Sequence, residues 1–234
     1  MNKDALDFIY DEEKEQLTAF SDEPLIIENK QLGYRVGYYL EQFVMDYSTN
    51  LSGYFGYTIF KSIKPKNERR ARTIERNRKS TYEGSTAHFF KSLYADRLKE
   101  EGFVVRLSRE RLDKRIVAYD EKNVFGTLKT GQARDYKGLS FENYLTVLYL
   151  REEEPVEYTA TLESQLGSGL IIPRPSDNKP FQESRVLILE GSSAIDFESN
   201  GYIRNPMSFY SLGYWAFEKV ADMVPLDYNP EVNN

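Results

Sequence analysis

The chain has 234 residues, no cysteine, a single histidine (His88) and a net charge of −6, with 18 tyrosines and 14 phenylalanines against one tryptophan. A chain of this length buries roughly 70 % of its unfolded surface without disulfide or metal staples, and lack of cysteine excludes disulfides, thiolate metal centres and a cysteine nucleophile. The negative charge argues against generic binding to nucleic acid or anionic membrane, and no apolar run approaches the ~18 residues of a membrane span.

The first sixty residues read as antiparallel β-structure. "LDFIY" and "QLTAF" flank the polar turn "DEEKEQ", and "PLIIEN", "YRVGYYLEQFVMDY" and "LSGYFGYTIF" follow, so a meander of four or five strands is expected. "MNKDALDFIYDEEKEQL" shows no basic segment followed by an apolar core, so no export signal is expected within this stretch, and it reads as a strand already under way. The chain is therefore expected to be the C-terminal part of a longer protein, with Met1 added or internal.

Charge is uneven along the chain. Lys61 to Arg115 holds 17 Lys/Arg against 8 Asp/Glu, a basic middle between acidic flanks. After Pro65, "KNERRARTIERNRKS" has helical composition over about 66–80, with only Ala71 and Ile74 as an apolar stripe. "YEGSTAHFFKSLYADRLKEEGF" predicts a second helix over about 84–101. Steps of 100° gather Phe89, Phe90, Leu93, Tyr94 and Leu98 on one face, with Gly102 as the stop. His88 falls on the opposite, small and polar side with Ser92, Ala95 and Lys99.

"FVVRLSR", "KRIVAYD" and "YLTVLYL" read as strands, with a polar loop from Glu121 to about Phe141 between the last two. "REEEPVEYTATLES" is a candidate edge strand, "SGLIIPRP" is apolar but stopped by prolines, and "SRVLILEGSSAIDFES" predicts a hairpin turning at Gly191 to Ser193. A short amphipathic helix is expected over about 213–223. The fold expected is α+β, mostly antiparallel, as one domain over 1–234; the fallback is a β subdomain over 1–60 and an α+β subdomain over 61–234.

Few residues suggest chemistry. His88 titrates nearest neutral pH, but a catalytic histidine needs an orienting carboxylate and a substrate or nucleophile. Glu83 lies off its helical face; a hydrolase pocket would need His88, Tyr82 and a distant carboxylate such as Glu28 to converge. Arg69, Arg72, Arg76 and Lys79 follow helical spacing as a basic stripe that, with Tyr82, could bind an anion or polyanion, though its segment has no aromatic for base stacking before Tyr82. "GSTAH" and "GSSAI" are not nucleophile elbows, and "LGSGL" is too short to cradle phosphate. The acidic runs lack a calcium loop's alternating oxygens, so no metal and no cofactor are expected. Tyr38, Tyr39, Tyr54, Phe55 and Tyr57 could supply a stacking surface for sugar rings or a protein partner.

The segments "EPLIIENKQLGYRVGYYLEQF", "ERNRKSTYEGSTAHFFKSLYADRLKEEGF" and "GYWAFEKVADMVPLDYNP" resemble, in order, three blocks of the region that follows the carboxypeptidase-like regulatory domain in cell-envelope proteins of Gram-negative bacteria. The resemblance spans residues 1 to 230. It implies a preceding transthyretin-like β-sandwich, a periplasmic or outer-membrane-associated location, and a non-catalytic module that binds a protein or glycan of the envelope. It supplies no zinc ligands, no catalytic glutamate and no established site residues.

Overall fold

The computed structural model describes residues 2–48, 51–110, 116–120, 129–132, 135–160 and 181–230. The fold is α+β, mostly antiparallel sheet, with two helices longer than a turn or two among the described residues. The chain forms two compact units, Met1–Thr81 with Val220–Asn234, and Tyr82–Lys219.

The first unit is built on strands β1 (Asp7–Asp11), β2 (Gln16–Phe20), β3 (Leu25–Asn29), β4 (Tyr34–Asp46) and β5 (Leu51–Ser62). A short 3₁₀ turn, Lys3–Ala5, precedes β1. The 13-residue β4 organises the sheet. Its first half pairs with β3 and its second half with β2 along one edge, while β5 runs along the other edge for its whole length. The strands therefore do not form a plain meander, because β2 and β3 share one edge of β4 instead of pairing with each other. Alternation puts Tyr34, Val36, Tyr38 and Leu40 on the buried face and leaves Arg35 and Tyr39 exposed. A bulge between Leu40 and Gln42 shifts the register. Beside it, Gly56 is the only residue type that fits, since a Cβ there would sit 2.2 Å from the Tyr39 carbonyl oxygen.

Helix α1 (Glu68–Tyr82) starts where Asn67 Oδ1 accepts the Arg70 N–H. Ile74 packs on Gly33, while the Arg78 side chain donates to the Leu32 carbonyl at 2.8 Å and stacks on the Tyr34 ring, 3.9 Å from its centroid. The tail returns to the same unit: the Tyr228 hydroxyl donates to Glu75 at 2.7 Å, and Asn29 donates to the Ala221 carbonyl.

The second unit holds the larger core. Helix α2 (Thr86–Tyr94) lies on a sheet ordered β13-β11-β10-β6-β7, where β6 is Phe103–Glu110, β7 Ile116–Asp120, β10 Tyr144–Glu153, β11 Phe181–Ile188 and β13 Phe209–Gly213. A three-stranded sheet joins β8 (Lys129–Gln132), β9 (Lys137–Ser140) and β12 (Ile195–Phe197). Phe89 meets Phe103 and Trp215, whereas Phe90 meets Phe197 of the small sheet, so α2 is packed on more than one side. Both phenylalanines are completely buried.

Several expected boundaries change. The second helix stops at Tyr94 instead of about 101, because Asp96 takes a positive φ of 56° and the chain turns through Arg97 to Glu101; Leu98 is still buried, from that turn. Lys137 caps the shortened helix by donating to the Tyr94 carbonyl at 2.7 Å. The expected loop between Glu121 and Phe141 contains β8 and β9. Gly191 to Ser193 joins strands of different sheets and does not close a hairpin: β11 pairs with β10 and β13, and β12 with β9. The candidate edge strand after Arg151 instead continues β10 to Glu153 and then turns helically at 156–160. The C-terminal helix is one turn, α3 (Tyr214–Phe217), since Glu218 is extended, and a 3₁₀ turn follows at Val220–Asp222. "SGLIIPRP" lies outside the described residues.

Candidate functional site

The sequence of the second unit brings His88 to the end of the large sheet's packed face. Phe103, Tyr149 and Gln182 are cross-strand neighbours on β6, β10 and β11, and they form the outermost row of that face. Gly84, φ 79°, and the N-cap Ser85 turn the chain into α2 directly above this row. A Cβ on Gly84 would lie 2.3 Å from Gln182 Oε1 and 2.8 Å from the Tyr149 ring, so a residue without one allows the approach. Trp215 closes the row by donating its indole N–H to the Gly84 carbonyl at 2.8 Å and its backbone N–H to Ser184.

Within this enclosure His88 is 4 % exposed. Its ring stands 4.8 Å from Tyr82, 4.9 Å from Phe103 and 5.7 Å from Tyr149. Nδ1 accepts the Gly84 N–H at 3.1 Å, so the neutral ring carries its hydrogen on Nε2, which faces Glu101 Oε2 at 3.5 Å. Glu101 is held in turn by Arg97 at 2.8 Å and by Arg151 at 3.9 Å. Burial outweighs the Glu101 carboxylate and holds the His88 pKa down to about 4. Burial likewise pushes the Tyr149 phenol up. The Tyr149 hydroxyl and Gln182 Oε1 are buried without a hydrogen-bond partner, while Gln182 Nε2 donates to Glu152 at 2.9 Å.

This arrangement limits the chemistry. An imidazole that already accepts a backbone N–H and points its own hydrogen at a carboxylate has no free nitrogen with which to take a proton. The neighbouring serines are engaged too: Ser85 donates to the Tyr82 carbonyl, and Ser92 to that of His88. The histidine network thus locks a helix start against a sheet.

Of the residues singled out in the sequence, Tyr82 and His88 meet in this network. The carboxylate beside His88 is Glu101, whereas Glu28 accepts from Arg35 across β3 and β4, which lowers its pKa. Arg69, Arg72, Arg76 and Lys79 belong to the first unit and are all exposed on α1. Arg72 reaches Glu68 at 3.8 Å, an exposed pair of little energetic weight. Arg70 and Arg78 instead donate to carbonyls of the β3–β4 turn, Arg78 from a part-buried position. Tyr38 is buried and belongs to the sheet's packed face; Tyr39, Tyr54 and Tyr57 are 40 %, 45 % and 49 % exposed.

Among the described residues no group of three acidic or histidine side chains is placed to hold a metal. One open depression of about 350 Å³ in the first unit is lined by Asn2, Asp4, Ala5, Asp7, Asp22 and Glu23. Sequence reasoning missed Glu101, Tyr149, Gln182 and Gly84; the glycine before the N-cap serine was the one local signal available. No family model, curated protein or solved structure matches the chain.

Proposed function

We propose that the chain is a non-catalytic, envelope-associated binding module, periplasmic or at the outer membrane, whose partner is a protein or glycan held on the β4–β5 hairpin of the first unit. The observation that carries this reading is an aromatic surface on the sheet's outward face. Tyr39 lies directly opposite Tyr57, and the Tyr57 ring stands 5.3 Å from that of Phe55. Aromatic rings on a stiff two-stranded ribbon present flat apolar area with little side-chain entropy to lose, which suits the faces of sugar rings and the anchors of protein interfaces. The internal engagement of both His88 nitrogens supports a structural role for that residue.

The test is co-sedimentation of the full chain with purified peptidoglycan sacculi and, separately, pull-down with detergent-solubilised outer-membrane proteins. Wild type and His88→Gln are expected to bind one of the two, and the Tyr39→Ser, Tyr57→Ser double variant to bind at least about tenfold more weakly, as for loss of a central aromatic pair. Undiminished binding by the double variant, or recovery of the native protein from the cytosol of its host, would overturn the reading.

A second reading rests on the exposed row Arg69, Arg72, Arg76 and Lys79, which offers an acidic polymer a line of cations. It requires affinity for a polyanion such as heparin to fall steeply with salt and with Arg72→Glu, Arg76→Glu; insensitivity to both removes it.

A further inference from the structure

We infer that β5 is a self-pairing edge, and that two copies of this chain join their five-stranded sheets through antiparallel β5–β5 contact about a two-fold axis. The inference goes beyond the proposed binding role and does not depend on it.

Among the described residues β5 pairs with β4 alone. The Ile63 N–H donates to the Gly33 carbonyl at 2.8 Å, which fixes the phase of the ladder. Residues 57, 59 and 61 therefore direct their backbone groups to β4, and Gly56, Thr58, Phe60 and Ser62 direct theirs away from it. Natural edges are guarded by proline, by charge or by a bulge. Along β5 the bulge is on the partner strand β4, the first proline is Pro65, and the only charge is Lys61 near the end.

A two-fold axis through Ile59 satisfies these groups together. Thr58 of each copy then pairs with Phe60 of the other and Gly56 with Ser62, giving about eight backbone hydrogen bonds from residues 56–62. On the outward face Ile59, 52 % exposed, meets its own equivalent. Tyr57 meets Lys61 of the second copy, so that each cation lies over an aromatic ring and not opposite a like charge. The charge pattern is what favours a second copy: from Leu51 to Asn67 there is no acidic residue, and this register places the lone strand lysine against an aromatic partner that the same strand supplies. The isologous contact also closes, leaving no further β5 edge to extend a fibre. The Tyr39 and Tyr57 faces of the two copies would then run side by side.

The test is sedimentation equilibrium of the full chain at increasing concentration, with residue-resolved amide exchange. A dimer of twice 27.3 kDa is expected, with the Gly56, Thr58, Phe60 and Ser62 amides gaining protection as it forms. Ile59→Lys and Ile59→Glu should each weaken dimerisation by about tenfold or more, since like charges would meet at the axis, and mixing the two should restore it. A monomer at every concentration overturns the inference, and so does a dimer whose β5 amides stay unprotected. Open-ended oligomers would indicate β5 pairing with β1 of a neighbour and would also overturn it. The exchange measurement uses wild type, so the conclusion survives a variant that fails to fold.

Discussion

Acidification should weaken the second unit through His88 in a way that removing the imidazole abolishes. The folded protein holds this ring neutral with its pKa down to about 4, against an ordinary value of 6.5. Between those values the unfolded chain binds a proton that the folded chain does not. Stability therefore rises with pH across the window and is lost as pH falls through it. Two titrations at 6.5 and about 4 give a loss of about 2 kcal/mol between pH 7 and pH 5, and about 3 kcal/mol by pH 4. The upper part of the window is the cleaner one, because ordinary carboxylates remain ionised there. Trp215 is the only tryptophan and is bonded to Gly84, so its fluorescence reports this network during urea unfolding. Wild type should lose about 2 kcal/mol more than His88→Gln on going from pH 7 to pH 5. As the only imidazole, His88 also gives an unambiguous NMR titration, and its ring signals should stay unchanged above pH 5. Equal pH dependence in the two proteins, or a ring midpoint between 6 and 7, would refute the enclosure described for this residue.

Gly84→Ala should destabilise the second unit by about 2–4 kcal/mol, from the left-handed φ and a Cβ forced against Gln182 and Tyr149, read by the same fluorescence-detected melt. A loss under 0.5 kcal/mol, the level of an ordinary surface change, would mean that the turn relaxes freely. In the first unit, Arg78→Ala should cost about 1–3 kcal/mol through its carbonyl hydrogen bond and its stacking on Tyr34, whereas Arg72→Ala should be within about 0.5 kcal/mol of wild type. Urea unfolding followed by circular dichroism separates the two, and equal effects would contradict the division of the arginines into packing and solvated sets.

Much of the fold is legible because its signals are local. Alternation along Tyr34 to Leu40 shows the packed face of β4, and the apolar set on α2 names Phe89, Phe90 and Leu93 as core. The helix ends are less legible. A positive φ at Asp96 ends α2 without glycine or proline, and the side chain of Lys137, 43 residues away, caps it. The strand pairings around Gly191 fail for a related reason: adjacent strands in sequence need not share a sheet, and β12 finds its partner in β9, more than fifty residues earlier.

The histidine illustrates the limit more sharply. Periodicity places His88 and Ser92 on the polar side of the helix, and that placement on the helix is correct, yet both residues are 4 % exposed. What covers His88 is Phe103, Tyr149 and the Gly84 turn, and what completes its hydrogen bonding is Glu101, thirteen residues along the chain. A polar helix face is solvated only if no second layer covers it, and that depends on strands whose position no window of the helix encodes. The same reasoning separates the arginines. Ile74 marks which side of α1 faces the sheet, so Arg70 and Arg78, one turn before and one turn after it, reach the carbonyls of the β3–β4 turn. Arg69, Arg72, Arg76 and Lys79 are left to solvent. Charge type alone does not distinguish the two sets; the apolar residue between them does.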